Sequence, residues 1–226
     1  MDVVSEFTNQ LNAEWLPAFC KPRGYPIESF LANKVVSEAD AADFLRALPF
    51  IEVDERGQFS LPRSKAKEVI FWDGHFSNPQ VRMTLWIEPV VTVAAMARLH
   101  LDYGWPLECL GMQSSKWEFD ITAFHSLDPE HEHIAGEVKA TTAELNKFLA
   151  GLALCCARGS HDCAGEKPPQ VNAHKKWKGL MRSRAGIFWA LGPNSDSRVH
   201  RVTYQEDGTI ILTRTSHEDL RFPLVK

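Results

Sequence analysis

The sequence predicts a mixed α/β fold of the α+β kind, in which helices cover the faces of a mixed β-sheet. Two stretches with apolar residues at helical spacing, 88–103 and 141–156, lie on either side of three short segments with the alternation of strands. An apolar run at 187–191 indicates a further, buried strand. The predicted core order is therefore helix, strand, strand, strand, helix, strand, or αβββαβ.

Residues 1–64 are predicted to form a separate N-terminal module, and residues 65–226 the main domain. The module contains weak helices at 5–16 and 26–33, a third helix capped by Ser37, and a hairpin that turns at 54–57. Three helices followed by a hairpin resemble a winged helix. The third helix carries Glu38, Asp40 and Asp43 against the single Arg46, a face that repels phosphate. We therefore expect this module to contact protein or to mediate dimerisation rather than to read DNA.

The main domain has clear start and stop signals. The helix at 88–103 ends at Gly104, with Pro106 just beyond. Thr141 and Glu144 form a capping box that opens the second core helix. The remaining predicted elements are strands at 107–112, 117–124, 133–140 and 187–191, a basic helix at 174–183, and a hairpin of 199–205 and 209–215 that turns on Asp207-Gly208.

Two carboxylates and one lysine stand out on the predicted neighbouring strands. Alternation places Asp120 on one strand face, and Glu137 with Lys139 on one face of the next strand. A hairpin makes Asp120 and Glu137 neighbours across the ladder, and Gly136 lets another backbone approach closely. Two carboxylates can hold a divalent cation, and a lysine beside them can orient a water or stabilise an oxyanion. The alternative is a solvated strand face, which is where alternating charges usually lie.

The order of elements around Asp120, Glu137 and Lys139, with the run Ile-Ala-Gly-Glu-Val-Lys at 134–139, resembles the PD-(D/E)xK nuclease superfamily over about residues 88–192. The resemblance implies a restriction-endonuclease-like fold in which Asp120 and Glu137 bind Mg²⁺ or Mn²⁺. It implies that Lys139 positions the attacking water or stabilises the phosphorane, and that the product is cleaved DNA or, less often, RNA. Endonucleases and exonucleases of repair and of restriction-like defence are the activities that it suggests.

The chain departs from the family pattern in three places. Phe119 stands where the family name has proline. Glu88 is the one candidate for an acidic residue on the first core helix, but its place at the helix start favours the alternative of an N-terminal helix charge. Glu118, on the strand of Asp120, is either an additional metal ligand or an exposed edge charge. The glutamine motif of the exonuclease branches is missing from the second core helix. A catalytically inactive nuclease-fold protein that binds nucleic acid or a partner complex is therefore the alternative function, and a protein-binding adaptor is a third.

A basic segment near the C-terminal end of the domain is predicted to contact nucleic acid. It surrounds Trp177, and a tryptophan among basic residues suits phosphate contact and base stacking. Its charged members are Lys175, Lys176, Lys178, Arg182 and Arg184. The alternative is an amphipathic helix with Trp177 buried and the lysines in water. The uneven charge permits a nucleic-acid partner without demanding one, since residues 1–60 hold 5 Lys/Arg and 10 Asp/Glu but residues 140–226 hold 13 Lys/Arg and 8 Asp/Glu.

Composition points to a soluble cytoplasmic protein. Hydrophobic residues make up 44% and charged residues 24%, as in ordinary globular domains, and no apolar run has the length of a membrane helix. Five cysteines without a framework spacing indicate reduced thiols.

Two further metal sites are weaker alternatives. One is a zinc site at Cys155, Cys156, His161 and Cys163, for which core packing is the favoured interpretation, and the other is a metal site in the histidine-rich turn at 125–133, for which an exposed loop is favoured. We expect DNA as the partner, with a homodimer or a larger complex as the possible assembly.

Overall fold

A computed structural model describes residues 2–74, 82–114, 118–125, 128–159 and 167–223. Its helices are α1 (Val3–Gln10), α2 (Leu16–Cys20), α3 (Glu38–Ala47), α4 (Ile87–Ala97), α5 (Thr142–Arg158) and α6 (Pro168–Ser183). Its strands are β1 (Phe30–Leu31), β2 (Glu52–Val53), β3 (Gln58–Ser60), β4 (Glu68–Val69), β5 (Phe71–Trp72), β6 (Met83–Leu85), β7 (Leu110–Met112), β8 (Ile121–His125), β9 (Asp128–Val138), β10 (Ile187–Leu191), β11 (Ser197–Tyr204) and β12 (Ile210–Thr215). A π-helical turn joins α1 to α2, and another, Arg98–Asp102, extends α4.

The main sheet has six strands in the order β7-β8-β9-β10-β11-β12. Strands β9 and β10 run parallel, and the other neighbours are antiparallel. Two helices, α5 and α6, occupy the connection from β9 to β10, which is long enough for the crossover that parallel strands need. The predicted mixed sheet with helices is thereby confirmed, and so is the basic helix predicted at 174–183, which is α6 and begins earlier, at Pro168.

The central strand β10 explains how the sheet is covered on both faces, because all five of its residues are buried. Ile187, Trp189 and Leu191 pack into one hydrophobic cluster with α4, whereas Phe188 and Ala190 pack into a second cluster with α5 and α6. A strand that is buried on both faces has a continuous apolar sequence rather than an alternating one. The sheet therefore lies between two helical layers.

The N-terminal elements share the α4 side of this core. Phe7, Trp15, Phe44 and Phe59 form a cluster of aromatic rings 5.0–6.0 Å apart, and the apolar contacts run on from it without a break to Trp189. The predicted hairpin is confirmed as β2 and β3. The predicted helix at 26–33 is wrong, since only a 3-10 turn precedes β1 there. The division of the chain at residue 64 stays a prediction.

Three of the core strands differ from their predicted bounds, and the first of them, β7, begins at Leu110 after a 3-10 turn at Leu107–Cys109 rather than at 107. Strand β9 begins at Asp128 rather than at 133, and β8 begins at Ile121 rather than at 117. Phe119 packs under α5 and α6 while Ile121 packs on the α4 side, so the predicted alternation fails before β8. There the Ser114 hydroxyl accepts hydrogen bonds from the backbone N–H groups of Glu118 and Phe119, a side-chain-to-backbone pattern that a regular strand ladder lacks. Trp117 and most of the predicted turn at 73–79 lie outside the described residues.

Candidate functional site

Asp120 and Glu137 meet at the start of β8. The pairing of Ile121 with Gly136 places Asp120 opposite Glu137, and the Asp120 backbone N–H donates to the Gly136 carbonyl at 2.9 Å. The Asp120 Oδ2 atom accepts a 2.8 Å hydrogen bond from the backbone N–H of Val138. Glycine is required at position 136, because a Cβ atom there would lie 2.8 Å from the Cβ of Ile121. The close approach inferred from that glycine is confirmed.

Lys139 completes the predicted group of three. Its ammonium lies 2.6 Å from Glu137 Oε1 and donates to the Val138 carbonyl at 2.8 Å. Its backbone N–H donates to the Leu191 carbonyl of the parallel strand at 2.9 Å. This bond fixes the residue at the carboxyl ends of β9 and β10, where parallel strands commonly present functional groups.

Of the two additional acids, the structure brings one to the site. Glu88, in the first turn of α4, places Oε1 3.7 Å from the Lys139 ammonium, and Trp86 Nε1 donates to its Oε2 at 3.3 Å. Glu118 is engaged elsewhere, because the Arg182 guanidinium binds both of its carboxylate oxygens. Glu88 therefore joins the acid group as proposed, whereas Glu118 forms a side-chain ion pair with α6.

Two further residues at the site have no motif in the sequence. The Gln113 amide donates to Glu68 Oε1 at 2.7 Å and lies 3.5 Å from Asp120 Oδ1. Gln113 has a φ of 57°, a left-handed conformation that residues other than glycine seldom adopt outside functional or tightly constrained sites. Glu68 belongs to β4, some fifty residues before Asp120, so no local spacing could have linked the two.

Lys176 is a departure from prediction. It was expected to face nucleic acid, but it is 7% exposed and points into the site from α6. Its ammonium lies 2.5 Å from Glu137 Oε2 and donates to the Glu118 carbonyl oxygen. The helix can come this close because Gly179 leaves room for the Phe119 ring, whose Cε2 would lie 2.8 Å from an added Cβ. Lys176 is thus a member of the acid–lysine group.

The group carries more acids than lysines. Asp120, Glu137 and Glu88 lie near two cations, Lys139 and Lys176. Glu68 joins them through the Gln113 amide and lies within range of the Glu88 charge. We refer to these six residues as the acid cluster. Burial disfavours a charge that has no partner of opposite sign. The excess of carboxyl groups over lysines should therefore raise the pKa values of the acids.

Burial and mutual repulsion shift the pKa values of the acid cluster. Burial, reinforced by the charge of Glu137, raises the pKa of Asp120 to about 8. Burial also raises the pKa of Glu68 to about 7 and raises that of Glu88. Burial alone would lower the pKa of Lys139, but the charges of Glu137 and Glu88 outweigh it and raise that pKa. Such mutually perturbed groups are typical of functional sites.

An open cleft of about 580 Å³ lies beside the acid cluster. It runs from Glu88 and Lys139 over the α5 surface, where Phe148 and Gly151 form an apolar floor. Lys147 and Lys167 add positive charge to its wall. A cleft with carboxylates at one end and lysines along its side suits an anionic chain that must reach the acids.

The acid cluster contains the donor types of a Mg²⁺ or Mn²⁺ site, namely carboxylate oxygens from Asp120, Glu137 and Glu88. Glu137 Oε2 is buried and accepts no well-aligned hydrogen bond, so its remaining partner is the Lys176 charge. Within the described residues, no group of three or more His, Cys, Asp or Glu side chains is already gathered around one metal position. The donors therefore fit a hard cation in kind, with a lysine standing among them.

The structure gives little support to the other predicted metal sites. Cys155 and Cys156 are buried in α5, and burial raises the pKa of Cys156 to about 12, which disfavours the thiolate that zinc requires. His161 and Cys163 lie outside the described residues. In the histidine-rich turn, His133 is part of β9, and burial lowers its pKa.

The remaining basic residues of α6 lie on its outer side. Lys175, Lys178, Arg182 and Arg184 are exposed, while Trp177 is buried and donates from Nε1 to the Gly208 carbonyl at 3.2 Å. Arg182 pairs with Glu118, and the Arg184 guanidinium lies 4.8 Å from the centre of the Tyr204 ring. The outer side of this helix is therefore still an exposed basic face, although Trp177 is buried and is not available for base stacking.

Comparison with known proteins returned no relative. The chain matches no protein-family model, and no curated protein or solved structure is significantly similar to it. Among the described helices, none combines the length and the apolar character needed to cross a membrane.

Proposed function

We propose that this protein is a metal-dependent nuclease of PD-(D/E)xK type that hydrolyses phosphodiester bonds of DNA with Mg²⁺ or Mn²⁺. The observation that carries the proposal is the meeting of Asp120, Glu137 and Lys139 at the ends of β8 and β9. The order α4, β7, β8, β9, α5, β10 and the mixed sheet support a restriction-endonuclease-like core. The two acids and the lysine are also the groups that phosphodiester hydrolysis needs.

Each residue has a role in this proposal. Asp120 and Glu137, with Glu88 nearby, would hold the cation, which supplies Lewis-acid stabilisation of charge on the phosphate. Lys139 is fixed by Glu137 and by the Val138 carbonyl, so its ammonium stays at the mouth of the cleft. There it can orient a water molecule for attack and stabilise negative charge on a phosphoryl oxygen.

The surroundings suit a polynucleotide. The cleft carries Lys147 and Lys167, and α6 presents Lys175, Lys178 and Arg184 to solvent. These cations can bind successive phosphates without reading sequence. We therefore propose DNA as the substrate, and a cytoplasmic role in repair or in restriction-like defence, with RNA as the second substrate to compare.

Cleavage assays with linear and circular DNA, single-stranded DNA and RNA test the proposal. We expect cleavage that needs Mg²⁺ or Mn²⁺ and that EDTA abolishes. Asp120→Asn and Lys139→Ala should each lower the rate by a factor on the order of 10²–10³, because each removes a group that acts on the reacting phosphate. Lys34→Ala and Glu206→Gln, two exposed positions, are the matched controls. Equal activity in all four variants would refute the assignment.

One observation favours a second function, that of a catalytically inactive nuclease-fold protein that binds nucleic acid. Lys176 supplies the acids with a cation from the chain itself, at 2.5 Å from Glu137 Oε2. A protein of this kind would bind DNA with strong salt dependence, yet calorimetry would detect no Mg²⁺ or Mn²⁺ site. Metal binding therefore separates the two functions.

A further inference from the structure

The position of Lys176 is that of a bound cation. Its ammonium contacts three groups that attract positive charge: the Glu137 carboxylate at 2.5 Å, the Glu118 carbonyl oxygen, and the face of the Phe119 ring, whose centre lies 5.6 Å away. The charge also acts on Asp120, on which it has a larger effect than that of Lys139. Carboxylate and carbonyl oxygens are the ligands of hard divalent cations as well.

The rest of α6 holds this lysine in place. Trp177 anchors the helix to the turn at Gly208 through its indole N–H, and Gly179 seats the helix on Phe119. The neighbouring Lys175 points to solvent from the same turn of the helix. Burial of Lys176 is thus a property of one position on the helix and not of the basic segment as a whole.

We propose that Lys176 is a resident cation of the acid cluster, which competes with the divalent metal for Glu137 and leaves the site when the metal binds. Two positive charges cannot share the same carboxylate oxygen in a buried site without strong repulsion. The Lys176 side chain is long and unbranched. Its ammonium can therefore move into the adjoining cleft while the backbone of α6 stays in place. This inference rests on the proposed metal site.

The same contacts give Lys176 a structural role in the metal-free protein. Four acids with only Lys139 as counter-charge would repel one another in a buried setting. Lys176 reduces that repulsion and keeps the acids in position before the metal arrives. The cost is a weaker affinity for the metal, which makes occupancy depend on metal concentration.

Labelling of lysines in the unaltered protein tests the displacement directly. An amine-reactive acetylating reagent is applied in EDTA and in saturating Mn²⁺, and the modified lysines are quantified by mass spectrometry. Lys176 should be protected in EDTA and should react several-fold faster in Mn²⁺, whereas Lys175 should react equally in both. Unchanged protection of Lys176 in a protein that calorimetry shows to be saturated with Mn²⁺ would overturn the proposal.

Calorimetric titration of Mn²⁺ into variants measures the competition. We expect Lys176→Gln to bind Mn²⁺ about tenfold more tightly than the unaltered chain, within the usual range of coupling between two ligands. Lys176→Arg, which keeps the charge, and Lys175→Gln, which lies outside the site, should bind as the unaltered chain does. In EDTA the melting temperature of Lys176→Gln should fall by several degrees and recover on addition of Mn²⁺. Equal or weaker affinity in Lys176→Gln would contradict the competition.

The outcomes distinguish this inference from the nuclease proposal. If the unaltered chain cleaves DNA but Lys176→Gln gains no affinity, the competition is wrong and the nuclease stands. If Lys176→Gln binds Mn²⁺ tightly but the unaltered chain neither binds metal nor cleaves, the competition stands and the nuclease is wrong. If neither chain binds metal, both are wrong.

Discussion

Among the described residues, two groups of charges with buried members differ in how their charges are compensated. In the first, Asp40 and Asp43 of α3 face Arg98, while Arg46 also binds Asp43 at 2.8 Å. Asp40 further accepts hydrogen bonds from the Ser37 hydroxyl at 2.7 Å and from the backbone N–H of Asn194 at 2.6 Å. Arg46 is exposed and also pairs with the exposed Asp102 at 2.5 Å, so three acids meet two arginines and all but one charge is balanced. The group ties α3 to the π-helical turn that extends α4 and to the turn after β10.

The acid cluster lacks that balance. Its four carboxyl groups meet two lysines, and burial raises the pKa of Asp120 and of Glu68 into or above the neutral range. The deficit is two positive charges, which protons can supply in the chain alone; a divalent cation that displaces Lys176 would reduce it to one. A charge group that serves only the fold is compensated from within, whereas a deficit indicates a ligand that is not part of the chain.

The same substitution in the two groups should therefore have opposite effects on stability. Asp40→Asn removes one of the two carboxylates that face the buried Arg98, and its NH2 group must point either at the Asn194 N–H or towards Arg98, both of which are donors. We expect it to lower the free energy of unfolding by about 3 kcal/mol, as measured by urea denaturation at pH 8 in EDTA. Glu38→Gln, at an exposed position in the first turn of the same helix, is the control. A loss no larger than that of the control would contradict the structural role.

Asp120→Asn should instead stabilise the metal-free protein. The pKa of Asp120 in the folded chain, about 8, lies above its ordinary value of 3.8. The protonated Asp120 carboxyl therefore contributes fully to the free energy of unfolding below about pH 3.8, and this contribution is lost as the pH rises towards 8. Asparagine carries no titratable proton, so the variant loses nothing over this range. We expect a gain of about 1–2 kcal/mol at pH 8 in EDTA, on the same urea assay. A loss comparable to that of Asp40→Asn would show that the acid cluster is structural.

Glu132 offers an intermediate case, because it is a buried acid outside both groups. Burial raises its pKa from 4.5 to about 7, although a hydrogen bond with Ser183 opposes the shift. Stability should fall as the pH rises from about 4.5 to 7, and Glu132→Gln should remove part of that fall. We expect the variant to gain about 1 kcal/mol at pH 8 and nothing at pH 4.5. Thermal melts at the two pH values measure the difference, and an equal effect at both would contradict it.

The smallest effect should come from the exposed lysines of α6. Lys175→Ala should weaken DNA binding by a factor of about 2–3 and lower the slope of log K against log salt by about 1, since it removes one phosphate contact. Fluorescence anisotropy at several salt concentrations measures both quantities, with Lys34→Ala as the control. An unchanged slope would place the DNA elsewhere.

Much of this architecture was predictable, because the signals are local. Thr141 is the N-cap of α5 as predicted, because its hydroxyl accepts from the Glu144 N–H at 3.1 Å; the Glu144 carboxylate accepts from the same hydroxyl at 3.1 Å. The buried strand at Ile187–Leu191 and the final hairpin also follow from short apolar runs and a turn. The sequence did not predict that Phe119 and Ile121 pack on opposite sides of the sheet, because strand alternation takes no account of side-chain-to-backbone hydrogen bonds such as that from the Phe119 N–H to the Ser114 hydroxyl.

The sequence by itself determined the elements of the sheet and the grouping of Asp120, Glu137 and Lys139, because residues two apart on a strand share a face and a hairpin pairs neighbouring strands. Only the tertiary structure decided which other charges join them. Lys176 and Glu68 approach from an overlying helix and a distant strand, and their contacts depend on how those elements pack across the sheet. Packing is not local in sequence, so a lysine that is indistinguishable from Lys175 in the chain becomes, one position later, part of the acid cluster.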